Sequence, residues 1–213
     1  MSTTGSPWRP LFERLLDELD GQKSPDWQAA KIALDPKVYY DGKRFQAERE
    51  QLFRRLPLCL GHIDQLAEPG AVLALELCGT PVLLGRGADG EVRVFLYVCR
   101  HRGARLVTQQ AEVCRRHRLV CPYHGWTYRL DRSLAGVPRG EAFPDLNPHL
   151  LGLWQLPSSV RHGLIWAVLD PAADAGPLDV EAYLGELDPS MRSAWLTIAF
   201  TASTRFDAPA TGN

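Results

Sequence analysis

The spacing of apolar residues divides the chain into a helical beginning and a strand-rich remainder. In the first 56 residues apolar positions recur every three or four residues, the period of an amphipathic helix. They predict a helix over 11–19, a second that starts at Ser24-Pro25 and ends near Pro36, and a third over 43–55. The apolar residues of the third helix, expected to face inward, are Phe45, Leu52, Phe53 and Leu56.

From Gly70 onward the pattern changes to short runs rich in Val, Leu and Phe, separated by turns such as 88–90. Predicted strands lie at 71–77, 81–86, 91–98, 118–121, 126–130, 153–156 and 163–169. Many short strands joined by tight turns indicate an antiparallel β-sandwich or small barrel. The predicted fold class is therefore mainly β with an N-terminal helical extension.

Changes in composition predict three segments along the chain. Residues 1–56 form the helical extension and residues 57–170 form the β domain. Residues 171–213 begin with a linker rich in Ala, Pro and Gly, followed by a short helix over 178–187 and a strand over 195–200.

The composition limits the class of protein. With 213 residues, 45% of them hydrophobic, the chain can bury one good core and the start of a second. A formal net charge of −1 offers no bulk attraction to nucleic acid or to a membrane surface. No apolar run reaches the roughly 18 residues of a membrane span, and no secretory signal is expected. Five cysteines, an odd number, suit a reducing cytoplasm better than a disulfide framework.

Two short clusters carry the candidate chemistry, because each offers one thiolate and one imidazole. They are Cys99-Arg-His101 and Cys121-Pro-Tyr-His124, and the nineteen residues between them allow a β-hairpin that brings them together. Two Cys on one iron and two His on the other form a known [2Fe–2S] ligand set. Because the Cys comes first in both clusters, Cys99 and Cys121 are expected on the inner iron and the histidines on the outer one.

The charge of such a centre predicts its chemistry. With two thiolates the oxidised cluster and its ligands are neutral together, whereas four thiolates leave two negative charges. An added electron therefore meets less repulsion. The pattern predicts a site that accepts and passes single electrons.

Other metal and cysteine interpretations have to be weighed. Two Cys and two His could bind zinc, but structural zinc sites pair Cys-x₂₋₄-Cys with His-x₃₋₅-His, and neither spacing occurs here. Cys114 and His117 form another Cys-x₂-His pair, but they lack the flanking Pro and Gly and lie among arginines, which favours a solvated turn. Cys59 and Cys78 are expected in the core.

The two clusters resemble a known motif. Residues 98–106, Val-Cys-Arg-His-Arg-Gly-Ala-Arg-Leu, and 121–128, Cys-Pro-Tyr-His-Gly-Trp-Thr-Tyr, resemble the Rieske motif of the aromatic ring-hydroxylating oxygenases, large (alpha) subunit. The likeness covers roughly residues 36–171. Rieske proteins of the respiratory complexes carry a further Cys in each loop, where Ala104 and Tyr123 stand here, so the resemblance is to the oxygenase type.

The resemblance implies a [2Fe–2S] cluster on Cys99, His101, Cys121 and His124, electrons from a ferredoxin or flavin reductase, and a homotrimer in the complete protein. Oxygenases of this family continue into a domain where two His and one Asp bind mononuclear Fe(II). The His-x₄-His pair typical of that site does not occur in this sequence. We therefore expect 171–213 to hold a linker and a truncated start of the catalytic domain, in a fragment or truncated product without catalytic residues.

Two function hypotheses follow from these residues. The first is the Rieske electron-transfer portion of a ring-hydroxylating dioxygenase, and the second is a stand-alone Rieske-type ferredoxin. Arg100, Arg102 and Arg105 either dock an acidic electron donor or are solvated charges and partners of nearby carboxylates. His149 and His162 lack nearby partners and are not expected to bind metal. The substrate cannot be inferred from these residues.

Overall fold

The computed structural model describes residues 34–108, 112–171 and 178–195, with side chains as far as 191. The first two predicted helices and the predicted strand at 195–200 therefore lie almost wholly outside the described residues. Helix α1 spans Gly42–Glu48 and continues as a π-helical turn over Arg49–Phe53. Helices α2 and α3 span Val180–Leu184 and Asp188–Trp195. Short 3₁₀ helices lie at Pro36–Tyr39, Ile63–Leu66, Gly140–Ala142, Pro148–Leu150 and Gly185–Leu187.

Ten short strands form three open antiparallel sheets in the described residues. Their bounds are β1 Leu58–His62, β2 Ala71–Leu77, β3 Thr80–Arg86, β4 Val92–Leu96, β5 Val113–Arg115, β6 Leu119–Val120, β7 Thr127–Tyr128, β8 Leu134–Gly136, β9 Ser158–Arg161 and β10 Leu164–Ala167. The strand orders are β1-β10-β9, β4-β3-β2-β5 and β6-β7-β8. The predicted mainly-β fold class is confirmed, as layered open sheets.

The β4-β3-β2-β5 sheet separates two hydrophobic cores, because successive side chains of a strand point to opposite faces. The site-side core contains Val72, Ala74, Leu83 and Phe95, together with Leu119, Trp126, Tyr128 and both candidate ligand cysteines. The rear core contains Leu73, Val82, Leu84 and Val94, together with Leu66, Leu156, Ile165 and Leu169. Strands buried on both faces explain why 71–77 and 80–86 are almost continuously apolar.

Most of the predicted strands occur, with small changes of bounds. The strand at 71–77 matches β2, and those at 81–86, 91–98, 118–121, 126–130 and 163–169 correspond to β3, β4, β6, β7 and β10. The strand predicted at 153–156 is wrong, since only an isolated bridge pairs Gln155 with Phe95. Strands β1, β5, β8 and β9 are short and mixed in polarity, and the apolar pattern did not predict them. The predicted helix at 178–187 corresponds to α2 and the 3₁₀ turn after it. Trp195, the first residue of the strand predicted over 195–200, lies in helix α3.

The third predicted helix exists, but its predicted orientation is wrong. It begins after Asp41, whose carboxylate accepts the N–H groups of Lys43 and Arg44 at 2.9 and 3.3 Å. The stripe expected to face inward is instead exposed, with Phe45 at 56%. The other members of the stripe are exposed by 46% at Leu52, 38% at Phe53 and 40% at Leu56. The periodicity identified an apolar face but not a surface to cover it.

An ion pair joins the segment after residue 177 to the β1-β10-β9 sheet. Asp188, 7% exposed, accepts a hydrogen bond from Arg161 Nε at 2.6 Å, and its Oδ1 lies 2.7 Å from His162 Nε2. The Arg161 guanidinium, followed by His162, holds the pKa of this carboxyl well below its usual range despite the opposing effect of burial. The β9–β10 turn thereby positions α3. In the described part of the chain no helix is long and apolar enough to cross a bilayer.

Candidate metal centre

Two loops with the same backbone pattern carry the four predicted ligands. In the first, Cys99 N–H donates to Ala104 C=O at 2.8 Å and Gly103 N–H donates to Cys99 C=O at 2.8 Å. In the second, Cys121 N–H donates to Trp126 C=O at 2.7 Å and Gly125 N–H donates to Cys121 C=O at 3.0 Å. Each loop is thus closed by a reciprocal pair of hydrogen bonds that fixes its cysteine at the base.

A glycine four residues after each cysteine closes the loop. Gly103 and Gly125 have φ values of 69° and 71°, the left-handed region that glycine adopts without steric cost. A Cβ at Gly103 would meet no heavy atom within 4 Å, whereas one at Gly125 would lie 3.0 Å from Pro138 Cγ. The first glycine is therefore needed for its conformation, and the second for both conformation and space.

The two cysteines lie in the site-side core. Cys99 is 2% exposed and Cys121 is 3% exposed. Cys99 Sγ lies 3.3 Å from the hydroxyl of Tyr128, a fully buried residue of β7. That hydroxyl also accepts the Arg100 N–H at 3.0 Å, which leaves its own hydrogen free to donate to the Cys99 sulfur. Burial raises the pKa of Tyr128, and the Cys99 contact raises it further, so the phenol keeps its proton.

The two histidines lie side by side beyond the cysteines. The ring centroids of His101 and His124 are 4.7 Å apart, with an interplanar angle of 65°. His101 stacks on the buried Trp126 ring at 4.9 Å and 8°, and the exposed Tyr123 ring lies 3.7 Å from His124. His101 is half-buried and His124 is exposed. An imidazole pair near the surface above a buried thiol pair is the asymmetry predicted from the order of ligands.

The imidazole of His101 is disposed to remain neutral. Its pKa is lowered by burial first, then by His124 and by the positive charge of Arg102. A neutral imidazole nitrogen is the form that binds a metal. The surroundings of His101 therefore favour the ligand form.

Two of the three arginines near the first loop have partners within the protein. Arg105 Nη1 forms an ion pair with Glu76 at 2.7 Å. The Arg100 guanidinium lies 3.8 Å from the Trp154 ring centroid, and its Nη2 donates to Leu150 C=O at 3.4 Å. Arg102 is exposed. Of the two interpretations of these charges, internal pairing describes Arg100 and Arg105.

The remaining cysteines and histidines lie away from the two loops or face elsewhere. Cys114 lies in β5 against the site-side core, while His117 is exposed. The prediction that Cys59 and Cys78 are core residues is wrong. Cys59 is exposed, and Cys78 occupies the β2–β3 turn with a positive φ of 52°. His149 is exposed in a 3₁₀ turn, as expected of a loop residue.

No three His, Cys, Asp or Glu side chains among the described residues converge closely enough to hold one metal ion. A [2Fe–2S] cluster needs only two protein ligands on each iron, and the loops present one thiol pair and one imidazole pair. The donor set and its arrangement fit that cluster. The hydroxyl of Tyr128 is the contact that the motif did not predict, although a buried tyrosine on a strand signals that its hydroxyl has a partner.

Comparisons with known proteins agree with this donor set. The Rieske [2Fe-2S] domain family matches residues 57–148. The alpha subunit of biphenyl 2,3-dioxygenase from Rhodococcus jostii (strain RHA1) is 38% identical over 178 residues, which are 79% of this chain and 37% of that protein. The chain contains a Rieske [2Fe–2S] domain similar to those of oxygenase alpha subunits.

Other Rieske oxygenases extend the comparison. Benzene 1,2-dioxygenase subunit alpha from Pseudomonas putida is 35% identical over 154 residues, 72% of this chain and 33% of that protein. The structure of naphthalene 1,2-dioxygenase from Rhodococcus sp. bound to indole gives a TM-score of 0.60 at 32% identity, covering 84% of this chain and 38% of that one. The quaternary ammonium Rieske monooxygenase CntA bound to L-carnitine gives 0.65 at 27% identity, covering 75% and 44%.

These Rieske relatives are alpha subunits, not stand-alone ferredoxins, which agrees with the first function hypothesis. The chain spans about a third of the length of the curated relatives it matches. The comparisons therefore relate this chain to one part of such an alpha subunit.

Proposed function

We propose that Cys99 and Cys121 bind one iron, and His101 and His124 the other, of a Rieske [2Fe–2S] cluster that carries single electrons. The observation that carries this proposal is the pairing in the two loops. Equivalent hydrogen-bonded loops hold two cysteines at 2% and 3% exposure, and two imidazoles lie 4.7 Å apart beyond them. When bound, such a cluster accepts one electron and passes it on.

The chain's own residues give each part of this site a distinct task. Cys99 and Cys121 are shielded from water by the site-side core, which limits attack by oxidants and exchange of the thiolates. The Tyr128 hydroxyl stabilises negative charge on the Cys99 sulfur by hydrogen bonding. His124 is the most exposed of the four ligands, so an electron leaves toward an acceptor most directly at its ring.

For the complete protein we propose an alpha subunit of an aromatic ring-hydroxylating dioxygenase. It would receive electrons from a ferredoxin or flavin reductase and pass them to a mononuclear Fe(II) in a separate catalytic domain, within a homotrimer. The biphenyl, chlorobenzene and benzene dioxygenase relatives support the aromatic substrate class. Five free cysteines support a reducing, cytoplasmic location.

The domain boundaries belong to the same proposal. We assign residues 57–170 to the Rieske domain, which encloses the matched range 57–148 and extends it to β9 and β10. We further propose residues 1–56 as a helical extension and residues 171–213 as a linker and truncated start of a catalytic domain, although 1–33, 172–177 and 196–213 lie outside the described residues. The pairing of β1 with β10 supports the later boundary, because it joins residue 58 to residue 167 in one sheet.

The cluster assignment is tested by purification of the chain under argon. We expect two irons and two acid-labile sulfides per chain, and a rhombic electron paramagnetic resonance signal after reduction by dithionite. His124→Ala should abolish the signal, whereas His117→Ala, the matched control at an exposed histidine, should retain it. A colourless, silent protein with one bound zinc would contradict the proposal.

The assignment to an oxygenase is tested separately by determining the reading frame beyond Asn213. An acidic residue followed by His-x₄-His downstream would supply the ligands of the mononuclear iron. A stop codon directly after Asn213 would instead favour an electron carrier without catalysis of its own.

A further inference from the structure

A basic groove lies at the end of the β6–β7 hairpin away from the two ligand loops. Its volume is about 480 Å³. Four cationic or ionisable side chains line it, Arg115, His117, Arg118 and Arg129, together with Asp89, Asp131 and the backbone of Gly70. We call this feature the basic groove.

The cations of the basic groove are largely unpaired. The side chains of Arg115, His117 and Arg118 form no hydrogen bond or ion pair with another residue that the structure describes. In the described part of the chain, Arg129 Nη1 donates to Ser133 Oγ, at 3.2 Å. These groups are free to receive negative charge from a partner.

The two carboxylates of the basic groove already accept hydrogen bonds from other residues of the chain. Asp89 accepts hydrogen bonds from both terminal nitrogens of Arg93, at 3.0 and 2.7 Å. Asp131 accepts the Ser133 N–H at 2.8 Å and the Ser133 hydroxyl at 2.5 Å. The charge of Asp89 is balanced by Arg93, whereas Asp131 keeps its negative charge because Ser133 is neutral. Against the three arginines of the lining, the basic groove retains a net positive charge.

The depth of the basic groove depends on a glycine. Gly70 has a φ of 89°, and a Cβ there would lie 3.4 Å from His117 Nδ1 and 3.5 Å from Arg115 Cγ. The Arg116 N–H donates to Gly70 C=O at 2.7 Å, which holds the turn with these cations against the start of β2. The cations are thus presented on a fixed backbone.

The basic groove and the candidate metal centre are two ends of one hairpin. Arg118 precedes Cys121 by three residues, about 10 Å of extended chain. Arg129 directly follows Tyr128, whose hydroxyl contacts Cys99 Sγ. A protein bound at the groove would be close to the cysteine side of the site and would leave the histidine side uncovered.

We propose that the basic groove docks the acidic electron-donor protein, whose surface carboxylates pair with Arg115, Arg118 and Arg129. This inference rests on the proposed function, because it names the partner of the same site. It also replaces the docking role considered for Arg100 and Arg105, which have partners of their own. Charge pairing of this kind steers association and weakens as salt screens it.

Binding of an oxidised plant-type [2Fe–2S] ferredoxin, an acidic protein, tests the proposal by isothermal titration calorimetry. No electron moves in this measurement, so it reports docking independently of the resonance experiment on the cluster. The variant Arg115→Glu/Arg118→Glu should weaken binding at about 20 mM salt by roughly tenfold or more, and Arg115→Gln/Arg118→Gln by less. The wild-type affinity should fall strongly at about 200 mM salt.

The matched control is Lys43→Glu/Arg55→Glu, which makes the same change in charge at two exposed positions of the helical segment. It should change the affinity by less than about twofold. The proposal is overturned by an equal loss in this control, by an unchanged affinity in both groove variants, or by no binding to the wild type at low salt. A comparable loss from Arg102→Glu alone would place docking at the histidine side and would also overturn it.

Discussion

The two ligand loops share one backbone and differ in their surroundings. Both close through the same pair of hydrogen bonds between cysteine and the residues four and five positions later. The first loop is held by two side chains of the β6–β7 hairpin, since His101 stacks on Trp126 and Cys99 contacts the Tyr128 hydroxyl. In the second loop His124 is exposed beside the exposed ring of Tyr123.

This contrast separates two requirements of an electron-transfer site. The shared backbone places two thiols and two imidazoles, which any cluster of this kind needs. The unequal surroundings make the first loop the more strongly restrained and the second the more accessible. Substitutions that act on the backbone should therefore affect both loops, and substitutions of the surroundings should affect them unequally.

The largest effect is expected where the loops are equivalent. Cys99→Ala and Cys121→Ala should each abolish the [2Fe–2S] cluster, because each removes one of the two thiolates that bind the inner iron. The visible absorption of the purified proteins and their iron content measure the loss. Cys114→Ala, at a half-buried cysteine of β5, is the control and should retain both. Retention of the cluster without Cys121 would contradict the equivalence.

Exchange of a histidine for a thiolate should lower the reduction potential. His124→Cys adds one negative charge beside the irons, and we expect a fall on the order of 100 mV in any cluster that assembles. His101→Cys should lower the potential too, but with poorer cluster yield, because it also removes the stacking on Trp126. Spectroscopic redox titration measures both. A rise in potential in either variant argues against the charge-based account of this site.

Loss of the tyrosine hydroxyl should affect the first loop alone. Tyr128→Phe removes the donor to Cys99 Sγ, and the reduced cluster, which carries more negative charge, loses more stabilisation than the oxidised one. If the hydrogen bond stabilises the reduced cluster by about 1 kcal/mol more than the oxidised one, its loss lowers the reduction potential by on the order of 40 mV. Tyr123→Phe is the matched control on the second loop and should leave the potential unchanged. Equal shifts in the two variants would remove the distinction.

The smallest effect on the cluster itself is expected from the loop glycines, whose substitution acts on the stability of the fold. Gly103→Ala forces alanine into the left-handed region, at a cost of about 1–2 kcal/mol. Gly125→Ala carries the same conformational cost and also brings a methyl group to 3.0 Å from Pro138, so it should lower the melting temperature further. Thermal unfolding followed by circular dichroism compares the two variants. An equal loss in the two variants would show that Pro138 yields to the added methyl group.

The sequence predicted the local features of this site better than the contacts between its parts. The four ligand positions and the glycines after them follow from residue type and spacing. β2 and β3 follow from continuous apolar runs that strands buried on both faces require. The contact between Tyr128 and Cys99 spans 29 positions and depends on how β6 pairs with β7, which no local pattern specifies.

The errors have physical causes of the same kind. The stripe that includes Phe45 and Leu52 records an apolar face, but periodicity does not identify the surface that covers it. Cys78 was expected in the core from its apolar neighbours, yet its positive φ places it in a tight turn before Gly79. The basic groove is assembled from four separate segments of the chain, so its charges come together only after the chain has folded.

The β4-β3-β2-β5 sheet also separates residues that affect the reduction potential from residues that stabilise the fold. Strands β2 to β4 send alternate side chains to the core beneath the cysteines and to the rear core that holds β10. Repacking around Ile165 or Leu84 can therefore change the resistance of the domain to heat while the electronic environment of the thiolates stays as it was. Thermal stability and reduction potential can then be changed independently, by substitutions on opposite faces of the same three strands.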